Sequence, residues 1–172
     1  MNHPKIFDAC VPVLVRYLES LERIVVAVEA MPVEESNVVL QSQLAPDMLP
    51  FYKQVETAAY FALRTAYPLA GLPVPPFLES GPTLVALHAR VKSTLGLLQD
   101  LSPSDFIDAL DRTIHERGGA ALIELPAERF LHEFALPNFF FHLNMAYALA
   151  RLHGCALGKT QYDGFHVYKN EG

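Results

Sequence analysis

The stretch FLHEFALPNFFFHLNMAYALARLHG, residues 130–154, decides how this chain is read. Its centre, residues 136–147, has the character of an apolar helix carrying three polar side chains, Asn138, His142 and Asn144, together with the phenol of Tyr147. A buried amide or imidazole without a hydrogen bond costs about 1–3 kcal/mol, so these groups need partners and mark a candidate site. Asn138 and His142 stand four apart and share a face, whereas Asn144 points about 200° away from His142 on the helical period. An interior proline costs about 3 kcal/mol, so Pro137 either bends the helix axis or divides the helix in two. The helix begins at Pro126 or Ala127, with Glu128 near its positive end, and Gly154 stops it. Three successive aromatics, Phe139, Phe140 and Phe141, cover nearly every direction and imply burial all round.

Upstream, Phe7, Cys10, Val11, Leu14, Leu18, Leu21, Val25 and Val28 form an amphipathic stripe, which predicts a first helix of about 24 residues ending near Met31-Pro32. Residues 32–46 read as a polar connection. Asp47 then stands as an N-cap before a second helix whose stripe runs through Met48, Phe51, Val55, Ala58 and Ala62, with Pro50 in its first turn. Four prolines and two glycines in residues 71–82 demand a loop. A third helix follows, with Leu84, Leu87, Val91, Leu95 and Leu98 in register as far as Asp100. Residues 112–125 lack a helical stripe and hold Gly118-Gly119 between two β-prone arms, a hairpin signal. Four helices with a hairpin before the last predict an all-α four-helix bundle in one domain, residues 1–172.

Composition excludes several function classes. The 172 residues are 51% hydrophobic, enough for a single sizeable core, and the net charge is −6 without any Lys/Arg run. Nucleic acid is therefore not an expected partner. No signal peptide and no apolar stretch of about 18 residues is present, so the expectation is a cytoplasmic protein that does not span a membrane. Cys10 and Cys155 make neither a CxxC pair nor a disulfide framework and read as free thiols. Gly158-Lys159-Thr160 has the wrong glycine spacing for a phosphate-binding loop and follows a helix rather than a strand.

The segments LAPDMLPFYKQV (44–55), LHEFALPNFFFHLNMAYALARLHG (131–154) and ALGKTQYD (156–163) together resemble an uncharacterised family known only as a domain of unknown function. That family is grouped with the DinB/YfiT-like superfamily of four-helix bundles, and the shared pattern Leu-Pro-Asn-Phe-x-Phe-His-x-x-x-Ala-Tyr occupies residues 136–147. The superfamily often holds a divalent metal on three histidines, one on the second helix and two spaced i, i+4 on the fourth. Its members include metal-dependent thiol transferases and isomerases, and its bundles frequently pair.

Carried over, His142 stands at the final histidine, Asn138 replaces its i−4 partner, and the second helix has no histidine at all. Asp47 and Gln54, seven apart, are the polar residues there that could face the same place. The resemblance thus implies a ligand site of Asp47, Gln54, Asn138 and His142, with His142 the one histidine left to hold a metal. Two amides in place of imidazoles remove most of the affinity for zinc, nickel or copper, so a divalent metal is admitted but no cofactor is assigned.

Elsewhere, His88 reads as a half-buried structural histidine, His132 lies about 80° from His142 on a straight helix, and His3, His115, His153 and His166 read as surface residues. Two function classes remain open. One is a DinB-like ligand-binding protein or degenerate metal-dependent enzyme, with His142 contributing more to binding than to stability. The other is a non-catalytic protein whose polar cluster only fixes the bundle. A homodimer is expected from Val13, Val15, Ile24 and Val26, which lie off the main stripe of the first helix.

Overall fold

Hydrophobic period becomes helix in the computed structural model, which describes residues 4–76 and 81–168. Four long helices form the bundle: α1 (Lys5–Glu29), α3 (Phe51–Leu69), α4 (Leu84–Gln99) and α6 (Leu136–Leu152). Their apolar stripes meet in one core that includes Leu14, Leu18 and Val25 of α1, Val55, Ala62 and Leu69 of α3, Leu87 and Val91 of α4, and Phe139 and Leu143 of α6. α3 packs most extensively on α6 and α4, and α1 packs mainly on α4. Pro12 lies inside α1 on its exposed side, where the chain continues helical. His3 and residues 77–80 of the proline-rich connection lie outside the described residues.

The polar connection after α1 is itself partly helical. Residues Val33–Gln41 form α2, which enters from Pro32, carries Glu34 and Glu35 in its first turn and buries Val39 and Leu40. That apolar pair supplies the packing that overrides the polar composition around it. Asp47 does not cap the next helix: it is exposed in the preceding turn, and α3 starts after Pro50. α4 has the side-chain cap, Thr83, which accepts from the Ala86 N–H at 3.2 Å.

Between α4 and α6 the chain makes an antiparallel hairpin of β1 (Thr113–Gly118) and β2 (Ala121–Pro126), with Thr113 opposite Pro126. Gly118 ends β1, so the two-residue turn is Gly119-Ala120, with φ +62° at Gly119. An L-residue pays for that conformation, which is why glycine leads such turns. Two arginines tie the hairpin region to the end of α3. Arg112 Nη1 donates to the Leu69 carbonyl at 2.7 Å. Arg64 donates to Glu116 Oε2 at 3.1 Å and to the Arg117 carbonyl at 2.6 Å.

Pro137 divides the last helical region. It has no N–H for the carbonyl four residues back and its ring crowds that carbonyl. The chain responds with one turn of α5 (Ala127–Arg129), a wider π-wound segment over Phe130–Ala135, and a fresh start of α6 with Pro137 in its first turn. α6 ends in a Schellman pair: Gly154, at φ +83°, donates to the Arg151 carbonyl and Cys155 to the Ala150 carbonyl at 3.1 and 3.0 Å. A short α7 (Lys159–Asp163) then folds back onto α1. Cys10 and Cys155 are free thiols, both buried, and burial pushes each thiol pKa up. Ile24, expected on an exposed face of α1, is fully buried in the core, while Val26 is 49% exposed. Phe139 is buried and Phe140 partly so, but Phe141 is 49% exposed, which corrects the expectation of burial all round.

Removing the Arg64 clamp tests how the hairpin is held. In Arg64→Ala, amide hydrogen exchange over residues 113–126 should rise about five- to tenfold, the equivalent of about 1 kcal/mol, while core amides of α1 keep their protection. Unchanged exchange in the hairpin would show that the clamp contributes nothing.

Candidate functional site between α3 and α6

Gln54 is 1% exposed in the seam between α3 and α6. Its Nε2 donates to the Leu49 carbonyl at 3.0 Å, and because a carbonyl only accepts, the orientation of the amide is settled. Oε1 therefore faces His142 Nδ1, at 2.7 Å, as an acceptor. His142 donates from Nδ1. A neutral imidazole carries one proton, so Nε2 is left as the unprotonated nitrogen. Burial of the ring pulls the His142 pKa down to about 4, and the side chain is neutral at pH 7. The ring stacks on Phe61, centroids 5.5 Å apart and planes 20° apart, and meets Phe141 edge-on at 5.2 Å.

The four residues expected to form one site are only partly gathered. Gln54 and His142 are brought together. Asn138 instead turns back along its own chain, and its Nδ2 donates to the Phe134 carbonyl at 2.7 Å, inside the π-wound segment. Helix interruption frees backbone carbonyls that need donors, and Asn138 supplies one. Asp47 is off the helix and exposed, so it does not share a face with Gln54. Asn144 sits on another side of α6, as its spacing requires, where Tyr162 Oη donates to its Oδ1 at 2.5 Å.

Two members of the cluster, the Phe61 ring against His142 and the Leu49 carbonyl against Gln54, were missed at the level of sequence. Phe61 lies seven residues after Gln54, two helical turns, so its place beneath the imidazole was open to inference from spacing. The Leu49 carbonyl left no signal, because any residue type can supply it. Of the remaining histidines, His115 is exposed as expected, whereas His153, expected at the surface, is half-buried. His88 is half-buried, with Nε2 3.0 Å from Glu29 Oε2, His132 is exposed, and the exposed His166 holds Asp163 at 2.6 Å.

The donor set does not fit the three-histidine metal site of the superfamily. Among the described residues no three His, Cys, Asp or Glu side chains gather where they could hold an ion. Gln54 Oε1 is engaged by His142 and Asn138 Nδ2 by the backbone, which leaves a single imidazole nitrogen where a tightly held zinc ion needs three or four nitrogen, sulfur or carboxylate ligands.

A crystal structure of a DinB family member protein from Shewanella denitrificans matches this fold with a TM-score of 0.83 and 30% identity, covering 96% of this chain and 95% of that one. The helical bundle with its hairpin is thus that of a DinB-like protein. Residues 6–163 match the model of a domain of unknown function, DUF1993, and the chain belongs to that family. No curated protein matches it.

The site makes stability depend on pH with a defined sign. Below pH 6.5 the unfolded chain protonates His142, whereas the folded chain resists protonation down to about pH 4, so stability falls as pH falls across that window and is fully present above it. In His142→Phe the buried Gln54 Oε1 is left without its donor, which should cost about 1–3 kcal/mol at pH 7. The same variant should lose less stability than the wild type between pH 7 and pH 4.5 by urea unfolding. Equal acid losses would detach the titration from His142.

Proposed function

We propose that this DinB-like protein binds a small molecule at the α3–α6 seam, with His142 Nε2 accepting a proton or hydrogen bond from an N–H or O–H group of the ligand. The observation that carries the reading is the Leu49–Gln54–His142 chain of hydrogen bonds, which fixes the tautomer and leaves the basic nitrogen of a half-buried, neutral imidazole unused. In metal sites, an acceptor on one ring nitrogen fixes a histidine's tautomer and aims the other nitrogen at the ion, and Gln54 supplies such an acceptor here. Here the oriented nitrogen acts without a resident transition metal, because the second and third metal donors are missing. The phenyl rings of Phe61 and the part-exposed Phe141 offer a ligand apolar surface beside the nitrogen. Asn138 has a separate role in this reading: it sustains the π-wound segment that sets where α6 begins.

Nitrogen-15 NMR of histidine-labelled protein tests the reading with phenol and zinc as probes. The wild type should show His142 as the Nδ1–H tautomer, its Nε2 resonance should move saturably with phenol, and zinc added in equimolar amount should leave it unmoved. Gln54→Glu, which places a carboxylate against Nδ1, should raise the His142 pKa. A proton on Nε2, an indifferent response to phenol, or stoichiometric zinc uptake by untagged protein would each overturn it.

Pairing of two copies through α1 rests on Val26, which is 49% exposed, beside the half-buried Val13 and Val15. Light scattering at micromolar concentration is expected to give about twice the chain mass of 19.1 kDa. The monomer mass would reject a dimer.

A further inference from the structure

The two sequence segments that end the chain's familial pattern meet on the side of α6 opposite the histidine. α6 contributes Asn144 and Tyr147, and α7 contributes Lys159 and Tyr162, around a cleft of ≈ 240 Å³. We propose that this cleft binds a small carboxylate carried on an aromatic or compact apolar body.

Hydrogen-bond accounting sets the charge of the ligand. Tyr162 Oη donates to Asn144 Oδ1, which occupies the amide's acceptor and turns its Nδ2 donors toward other partners. Tyr147 Oη and Lys159 Nζ have no hydrogen-bond or ion-pair partner among the described residues. Three unused donors, one of them cationic, line the cleft, and no carboxylate does. Asp163 follows Tyr162 but is spent elsewhere: it accepts from the Phe165 and His166 N–H groups and from the His166 ring. An anion with two acceptor oxygens meets this donor set, whereas a cationic ligand would face the lysine.

Ring geometry sets the body of the ligand. Tyr147 and Tyr162 meet edge to face with centroids 5.5 Å apart, and Tyr17 backs Tyr162 at 5.7 Å. Flat aromatic walls in a cleft of this size suit one ring or a branched aliphatic group and leave no space for a nucleotide. The wall is also held in place before any ligand arrives. Arg23 Nε donates to the Gln161 carbonyl at 3.0 Å and Arg16 Nη1 to the Asp163 carbonyl at 3.4 Å, so α1 fastens α7 on both sides of Tyr162. Preorganisation of this kind reduces the ordering cost of binding.

Two-dimensional amide NMR of the full chain, titrated with benzoate, benzamide and benzylamine, separates the outcomes. Benzoate should produce saturable shifts centred on Asn144, Tyr147, Lys159 and Tyr162, while the neutral and cationic analogues should bind about tenfold more weakly or not at all. Lys159→Gln and, separately, Tyr147→Phe, which keeps the ring and removes the hydroxyl, should each weaken benzoate about tenfold. Binding of benzamide as tight as benzoate, undiminished affinity in Lys159→Gln, shifts centred on His142, or no saturable shift up to the solubility limit would overturn the proposal. The cleft is read at Asn144, Tyr147, Lys159 and Tyr162 and the α3–α6 seam at His142, so failure of one reading is told apart from failure of the other.

Discussion

One buried amide couples the two helices against which the rest of the bundle is set. Gln54 donates to the Leu49 carbonyl in the turn leading into α3 and accepts from His142 on α6, so a single side chain fixes the path of the chain into α3 and the rotation of α6 against it. Each bond contributes about 1 kcal/mol net, but leaving either end of a desolvated amide unpaired costs about 1–3 kcal/mol. That asymmetry makes the network a device for uniqueness more than for raw stability. A misrotated α6 would leave Gln54 Oε1 buried without its donor. The same constraint decides the chemistry of His142, because an amide whose nitrogen is committed to a carbonyl can present only its oxygen.

Pro137 acts on the same helix from the other end. By removing one backbone donor it forces the π-wound segment over Phe130–Ala135, and the extra residue in that wide turn shifts everything upstream relative to α6. Asn138 adds a side-chain bond to this stretch, its Nδ2 donating to the Phe134 carbonyl at 2.7 Å. The i, i+4 relation between Asn138 and His142 therefore does not make them one site. They share a face, but one serves the backbone behind it and the other the helix opposite.

The first three long helices were legible because each carries a stripe of the helical period, the last as an apolar run broken at Pro137, and the hairpin because Gly118-Gly119 breaks the period between β-prone arms. The approach of Gln54 to His142 was legible in part, since the resemblance put Gln54 and His142 in one group with Asp47 and Asn138, and the structure brings those two together. What escaped has a common cause, namely tertiary packing overriding local composition. α2 forms because Val39 and Leu40 find the core, although the residues around them are polar, and Ile24 leaves its expected surface because α1 is enclosed on more than one side. Asp47 looked like a cap from its residue type, but the chain turns once more before α3 begins and no side chain caps that start. Asn138 has the spacing of a metal ligand and the function of a backbone donor, a distinction that sequence spacing alone does not contain.

His142 has a defined protonation state although no metal-ligating cluster gathers around it among the described residues. A histidine bound to zinc must present an unprotonated nitrogen, and in three-histidine sites the metal itself enforces that state. In this chain the same state is reached by other means: burial lowers the His142 pKa to about 4, and Gln54 takes the proton-bearing nitrogen as its donor. The imidazole is thereby kept a neutral base across the physiological range without an ion beside it. On the opposite side of α6 the polarity is reversed, with Lys159, Tyr147 and Asn144 offering donors around a tyrosine-walled cleft. α6 thus sends His142 toward α3, with Nδ1 donating to Gln54, and Asn144 and Tyr147 toward α7. The spacing of His142 and Asn144, two residues and a little over half a turn apart, is what places the two faces back to back.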